Sequence, residues 1–145
     1  IKRITVSNIL SEAISTTRKS NPEAIIVAMG DFNDHPSDES MLQLTNCDVG
    51  PCLTNFHAAF DYTDIGSYVY RGNWEVLDQI LVNNRKSPDT HWRASQNNSG
   101  FVRYNWMMYK NEKDQTEVPS KTYGGSYFYS GFSDHLPAYL ILEKK

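Results

Sequence analysis

Residues 24–34 read Ala-Ile-Ile-Val-Ala-Met-Gly-Asp-Phe-Asn-Asp, and this stretch restricts the fold more than any other. Six apolar residues in succession leave no polar face for solvent, so the run predicts a strand buried on both sides, inside a sheet covered by helices. Gly30 permits a sharp exit, and Asp31 and Asn33 follow in a loop. In layered α/β proteins such strand ends are where chemistry is usually placed. The same Gly-Asp-x-Asn composition also makes an ordinary turn, since all three residue types favour turns.

Upstream, Ser7 is a candidate N-cap. Ile9, Leu10, Ala13, Ile14 and Thr17 recur at helical spacing as far as Arg18-Lys19, where basic residues suit the helix dipole, and Asn21-Pro22 ends the helix. Residues 2–6 read as a strand end or lead-in. A helix feeding a buried strand is an α/β crossover and calls for a parallel neighbour, yet no candidate strand precedes residue 7. Downstream, Ser37 caps a short helix from Asp38 to about Leu44. Residues 45–66 form an acidic, aromatic connection with a short helix near Asn55–Phe60. Ser67–Tyr70, the Arg71-Gly72-Asn73 turn and Trp74–Val82 make a hairpin signal. In its second strand Val76, Asp78, Ile80 and Val82 share one face, so the Asp78 carboxylate points with apolar residues and needs a partner. Residues 83–100 read as polar loop, Phe101–Tyr109 as a strand, Lys110–Lys121 as a charged excursion, and Thr122–Tyr129 as a segment rich in aromatics and glycine. Ala138–Leu142 reads as a closing strand.

At 145 residues the chain is long enough for one domain with a sizeable core, about 70% of the unfolded surface being buried at this size. No run approaches a membrane span and residues 1–20 lack a signal-peptide pattern. A start at Ile1 rather than Met suggests a trimmed piece of something longer. Cys47 and Cys52, five apart, suit two thiols or one local disulfide better than zinc, for which His35 and His57 offer no recognised spacing. The net charge of −3 argues against a general polyanion binder. Residues 36–65 carry five acidic and no basic side chains, whereas residues 66–100 sum to +1, so an anionic substrate is expected from the second region.

Three stretches carry chemistry: Gly30-Asp31-Phe32-Asn33, Leu77-Asp78-Gln79-Ile80 and Ser133-Asp134-His135. Each lies on or beside an apolar strand. A phosphate ester repels nucleophiles and gathers negative charge as it reacts, so its hydrolysis needs a cation, a group that orients water, and donors for the oxygens. Asp31 suits the water and Asn33 a phosphate oxygen. His135, hydrogen-bonded to Asp78, would be held in one orientation to meet the charged phosphorane, and Asp134 offers an oxygen ligand for Mg²⁺ or Mn²⁺. Taken singly, a turn, a structural buried pair and a cap account for the same residues.

These motifs, in this order over residues 30–140, resemble the endonuclease/exonuclease/phosphatase superfamily, the deoxyribonuclease-I-like group. The resemblance implies an α/β fold, a partial two-sheet sandwich of that type, for 1–145 as a single domain. It implies a metal-dependent phosphoesterase in which Asp31 lies near the water, Asn33 on phosphate, Asp78 orients His135, and Asp134 stands beside the metal. Arg71 and Trp74 are candidate substrate-binding residues. The family's amino-terminal Asn strand and metal-binding Glu find no counterpart here, Glu12, Glu23 and Glu39 falling in helix or loop contexts. The chain thus resembles the carboxy-terminal half of the family domain, and little or no hydrolysis is expected from it alone. The partners implied are a phosphate ester, a nucleic acid among the options, and either the missing half or a second copy. The competing readings are a lipid or small-molecule phosphatase, and a non-catalytic binding module on the same scaffold.

Overall fold

The computed structural model describes residues 2–48, 50–83, 92–113 and 115–144. In chain order the strands are β1 (Val27–Asp31), β2 (Leu53–Asn55), β3 (Tyr68–Tyr70), β4 (Asn73–Glu75), β5 (Asp78–Asn83), β6 (Trp92–Phe101), β7 (Met108–Lys110), β8 (Glu117–Pro119), β9 (Tyr123–Gly124), β10 (Tyr127–Phe128) and β11 (Ala138–Lys144). The helices are α1 (Lys2–Ser20) and α2 (Glu39–Thr45), with 3-10 turns at Ala58–Phe60 and Asn105–Met107. The result is a mixed α/β architecture of helices and several small antiparallel sheets.

The strand buried on both faces is β5, not β1. β5 lies between β1 and β2. Its Leu81 packs with Ile14, Ala28, Met41, Leu44 and Leu53 under the helices, while Ile80 and Val82 pack with Phe56 against Ala94, Ala138 and Leu140 of the β6–β11 sheet. Only Ala28 of β1 is buried; Met29 is 72% exposed. Among the described residues β1 pairs with β5 alone, so within them its other edge has no ladder and Val27 and Met29 are exposed. The expected parallel neighbour is not found, every ladder among the described residues being antiparallel.

Residues 2–6 are helical rather than a strand end, because contacts outweigh the modest helix propensity of Ile4 and Val6. Arg3 pairs with Asp34, and the Ser7 hydroxyl donates to the Ser40 carbonyl. α1 stops at Ser20 before Asn21-Pro22, as expected. α2 begins at Glu39 with Asp38, not Ser37, in the N-cap position. Near Asn55–Phe60 only Ala58–Phe60 is helical, as a 3-10 turn. The hairpin β3–β4 forms, with positive φ at both Arg71 (50°) and Gly72 (86°), the pattern of a type I′ turn that matches strand twist. Its predicted second strand divides, β4 staying in the hairpin and β5 crossing to the central sheet.

β6 replaces part of the predicted loop 83–100. Its inward residues are Ala94, Ser99 and Gly100, too small to give an apolar signal. Arg85, Lys86 and Asp89, which entered the charge count, lie outside the described residues. The predicted strand Phe101–Tyr109 resolves into the end of β6, a 3-10 turn and β7. The charged excursion is spanned by the β7–β8 pair, and β9 pairs with β10. β11 covers the closing strand. Cys47 and Cys52 form a disulfide. No described helix is long and apolar enough to cross a membrane.

Candidate functional site

The ladder that joins β1 to β5 sets Asp31 directly opposite Asp78. Opposed residues of an antiparallel pair present their side chains on one face, so both carboxylates stand on the same side of the sheet. The loop before β11 brings His135 to them: its Nδ1 lies 2.6 Å from Asp78 Oδ2. A carboxylate only accepts, so Nδ1–H is the donor and Nε2 is the nitrogen left to the open side. The Tyr68 ring covers the imidazole with centroids 4.7 Å apart, and Tyr68 and His135 form an antiparallel bridge.

Ser67 holds both members of this pair. It is fully buried, and its Oγ accepts from the Asp78 amide at 3.0 Å. Its carbonyl accepts from the Leu136 amide at 2.7 Å. One residue thereby fixes the backbone under the carboxylate and next to the imidazole. Nothing in the sequence marks Ser67, because both of its partners are main-chain amides, which carry no sequence signal.

Asp31 and Asn33 form an Asx turn. The Asn33 amide donates to Asp31 Oδ1 at 2.9 Å and its Nδ2 donates to Oδ2 at 3.1 Å, with Asn33 at φ 53°. Turn and exposed polar cluster are therefore the same object. The loop is anchored from below. The Phe32 amide donates to the Leu77 carbonyl at 2.9 Å, and buried Gln79 donates to the Asp34 carbonyl while accepting from Asn55. The Asp34 carboxylate takes hydrogen bonds from Arg3 and Ser40. A buried network with its members satisfied holds a rigid shape. Gln79 carries a sequence signal in retrospect, as a lone amide within an apolar strand.

His57 is a second histidine inside this frame, fully buried between Phe60 and Phe101. Its Nδ1 accepts from the Ile80 amide at 3.2 Å, and Nε2–H donates to the Gly100 carbonyl at 3.1 Å, which fixes a neutral tautomer. Burial pushes its pKa below the ordinary 6.5, opposed by the Gly100 hydrogen bond and the Asp78 charge. Another pair, His35 Nδ1 to Asp61 Oδ1 at 2.9 Å, carries a stacked Tyr62 at the next loop.

Asp134 sits beside His135, exposed, and among the described residues its carboxylate makes no hydrogen bond or ion pair. Mg²⁺ and Mn²⁺ take hard oxygen ligands and keep several waters, so this free carboxylate suits such an ion as a single ligand. Among the described residues no three His, Cys, Asp or Glu side chains converge as a metal cage. Among the described residues no hydrogen bond, ion pair or ring contact joins Arg71 or Trp74 to the His135–Asp78 pair. Arg71 occupies the hairpin tip with its guanidinium 5.1 Å from the Tyr70 ring centre. Trp74 opposes Val69, on the face away from Tyr68, and lies under the Arg103 guanidinium at 5.0 Å.

A family model described as endonuclease/exonuclease/phosphatase family matches residues 1–144. No curated protein and no solved structure matches the chain.

Proposed function

The chain belongs to the endonuclease/exonuclease/phosphatase family, and from that premise we propose that it carries the water-orienting and phosphate-holding groups of a metal-dependent phosphoric ester hydrolase. The observation that supports this reading is the His135–Asp78 hydrogen bond on the same face as Asp31. An oriented imidazole opposite a second carboxylate is an arrangement for attack by water on one side and charge stabilisation on the other.

In this reading Asp31 takes the proton of the attacking water as its oxygen bonds to phosphorus, while the ester P–O bond on the opposite side breaks and the departing alcohol oxygen takes a proton from solvent. Asn33 has one Nδ2 hydrogen on Asp31 and offers the other to a phosphate oxygen. His135, in the imidazolium form that carries a proton on each ring nitrogen, is aimed by Asp78 and donates from Nε2 to a non-bridging oxygen as charge builds. Asp134 and the phosphate oxygens together would hold Mg²⁺ or Mn²⁺, which when bound neutralises phosphate charge as a Lewis acid. Arg71 and Trp74, carried on the β3–β4 hairpin, are the proposed contacts to the rest of the substrate. The two sheets packed on Ile80 and Val82 would be part of the family's deoxyribonuclease-I-like sandwich. Turnover by the 145-residue chain alone is proposed to be small, Glu12 and Glu39 lying in α1 and α2 and Glu23 outside the strands rather than beside the pair.

The test is thermal unfolding with Mg²⁺, inorganic phosphate, and both. A ligand present at a hundred times its Kd stabilises the fold by about 2.7 kcal/mol. A rise in Tm with both together, absent in His135→Ala, is the expected result. An unchanged Tm with both ligands would leave the non-catalytic module as the better account.

A further inference from the structure

Half of the protein's eighteen aromatic residues fall between Phe101 and Phe132. Eight of these nine are exposed, and in that segment no aliphatic side chain joins them among the exposed large hydrophobics. The rings are ordered. Tyr104 and Trp106 lie within 10° of parallel with centroids 6.2 Å apart, and Phe132 meets Trp106 edge-on at 5.1 Å. Tyr104 is 58%, Trp106 62% and Phe132 65% exposed, so the cluster leaves most of its surface open to solvent.

We propose that Tyr104, Trp106 and Phe132 form a stacking platform for an unpaired base of a single-stranded nucleic acid whose phosphate lies at His135. Only the placement of that phosphate rests on the hydrolase reading; the platform stands on its own geometry. Phe132 is three residues before His135, so their Cα atoms are at most about 11 Å apart. The platform is also tied to that loop by its backbone. The Ser120 amide donates to the Met107 carbonyl at 2.8 Å, and the Ser120 carbonyl accepts from the Phe132 and Ser133 amides at 2.6 and 3.2 Å. Rings and imidazole therefore keep a fixed relation, as recognition of adjacent parts of one ligand requires.

The chemistry of the patch selects a flat, anionic ligand. Parallel rings offer π-faces, which bases of every kind can stack on, whereas an acyl chain would be met by Leu, Ile or Val. Residues 101–132 sum to +1 in a chain of net charge −3. Lys121, with its Nζ 5.7 Å from the Tyr129 ring centre, makes no ion pair among the described residues and is available to a backbone phosphate.

The test is the anisotropy of a short fluorescein-labelled oligothymidylate titrated with the full chain at low salt and without Mg²⁺. Base stacking on one aromatic is lost on truncation to alanine, so Trp106→Ala should weaken binding about fivefold or more, Tyr104→Ala should weaken it as well, and Trp106→Phe should keep most of it. The Tm response to Mg²⁺ with phosphate should survive all three, showing that the fold and the His135 site are intact. Equal affinity of Trp106→Ala and wild type for the oligonucleotide would overturn the platform, as would binding to phosphatidylcholine–phosphatidylserine vesicles with none to the oligonucleotide. Loss of the Mg²⁺ and phosphate response in the wild type, with Trp106-dependent oligonucleotide binding retained, would remove the hydrolase reading and leave the platform standing.

Discussion

His135 has one ring nitrogen committed to Asp78 and one ring face covered by Tyr68, so a single donor direction remains for a ligand. Removing the imidazole removes a charge-assisted hydrogen bond to phosphate, commonly about 1.5–3 kcal/mol. His135→Ala should therefore weaken phosphate binding in the presence of Mg²⁺ by about tenfold or more, measured by calorimetry. Ser67 predicts a different outcome. Ser67→Ala strips the acceptor from a buried backbone amide, and should cost about 1–3 kcal/mol in urea unfolding while also weakening phosphate binding. The Asp78–His135 contact was legible in the sequence because a carboxylate sharing a strand face with Val76, Ile80 and Val82 had to find a partner. Ser67 was not, since a serine whose hydroxyl and carbonyl each accept from a main-chain amide looks like any other serine.

Between elements, the tie that matters is His57, which bridges β5 at Ile80 to β6 at Gly100. Its neutral form makes both hydrogen bonds, and burial lowers its pKa below 6.5. The unfolded chain binds a proton at 6.5 while the folded chain resists it, so this contribution is fully present above pH 6.5 and is lost as pH falls below that value toward the lowered pKa. The urea midpoint should fall between about pH 8 and about pH 5, and His57→Gln should flatten that slope while lowering stability throughout. Element boundaries were legible where patterns were strong, as in α2, the Arg71-Gly72 hairpin and β11. They failed at β6, where the buried or part-buried positions Ala94, Ser99 and Gly100 are too small to give an apolar signal, and at residues 2–6, where Arg3 and the adjoining Ser7 bind the loop and helix beside them.

For the whole molecule, β1 was the misleading case. Its apolar run predicts burial on both faces, but that burial belongs to β5, and among the described residues β1 keeps an unpaired edge with Met29 exposed. Composition records how apolar a strand is without recording what covers it. Free, apolar edges pair with other chains. Sedimentation should show concentration-dependent association, and Met29→Lys should shift the chain toward monomer; a monomer at every concentration in the wild type would count against that pairing. The rung where Asp31 faces Asp78 has an effect of its own, since like charges opposed across a ladder repel. That repulsion works against the last rung of the ladder, and a divalent ion entering the proposed site there would act as a clasp. Amide deuterium uptake at Asp31 and Phe32 should slow when magnesium is added, ahead of any change in the interior of β5.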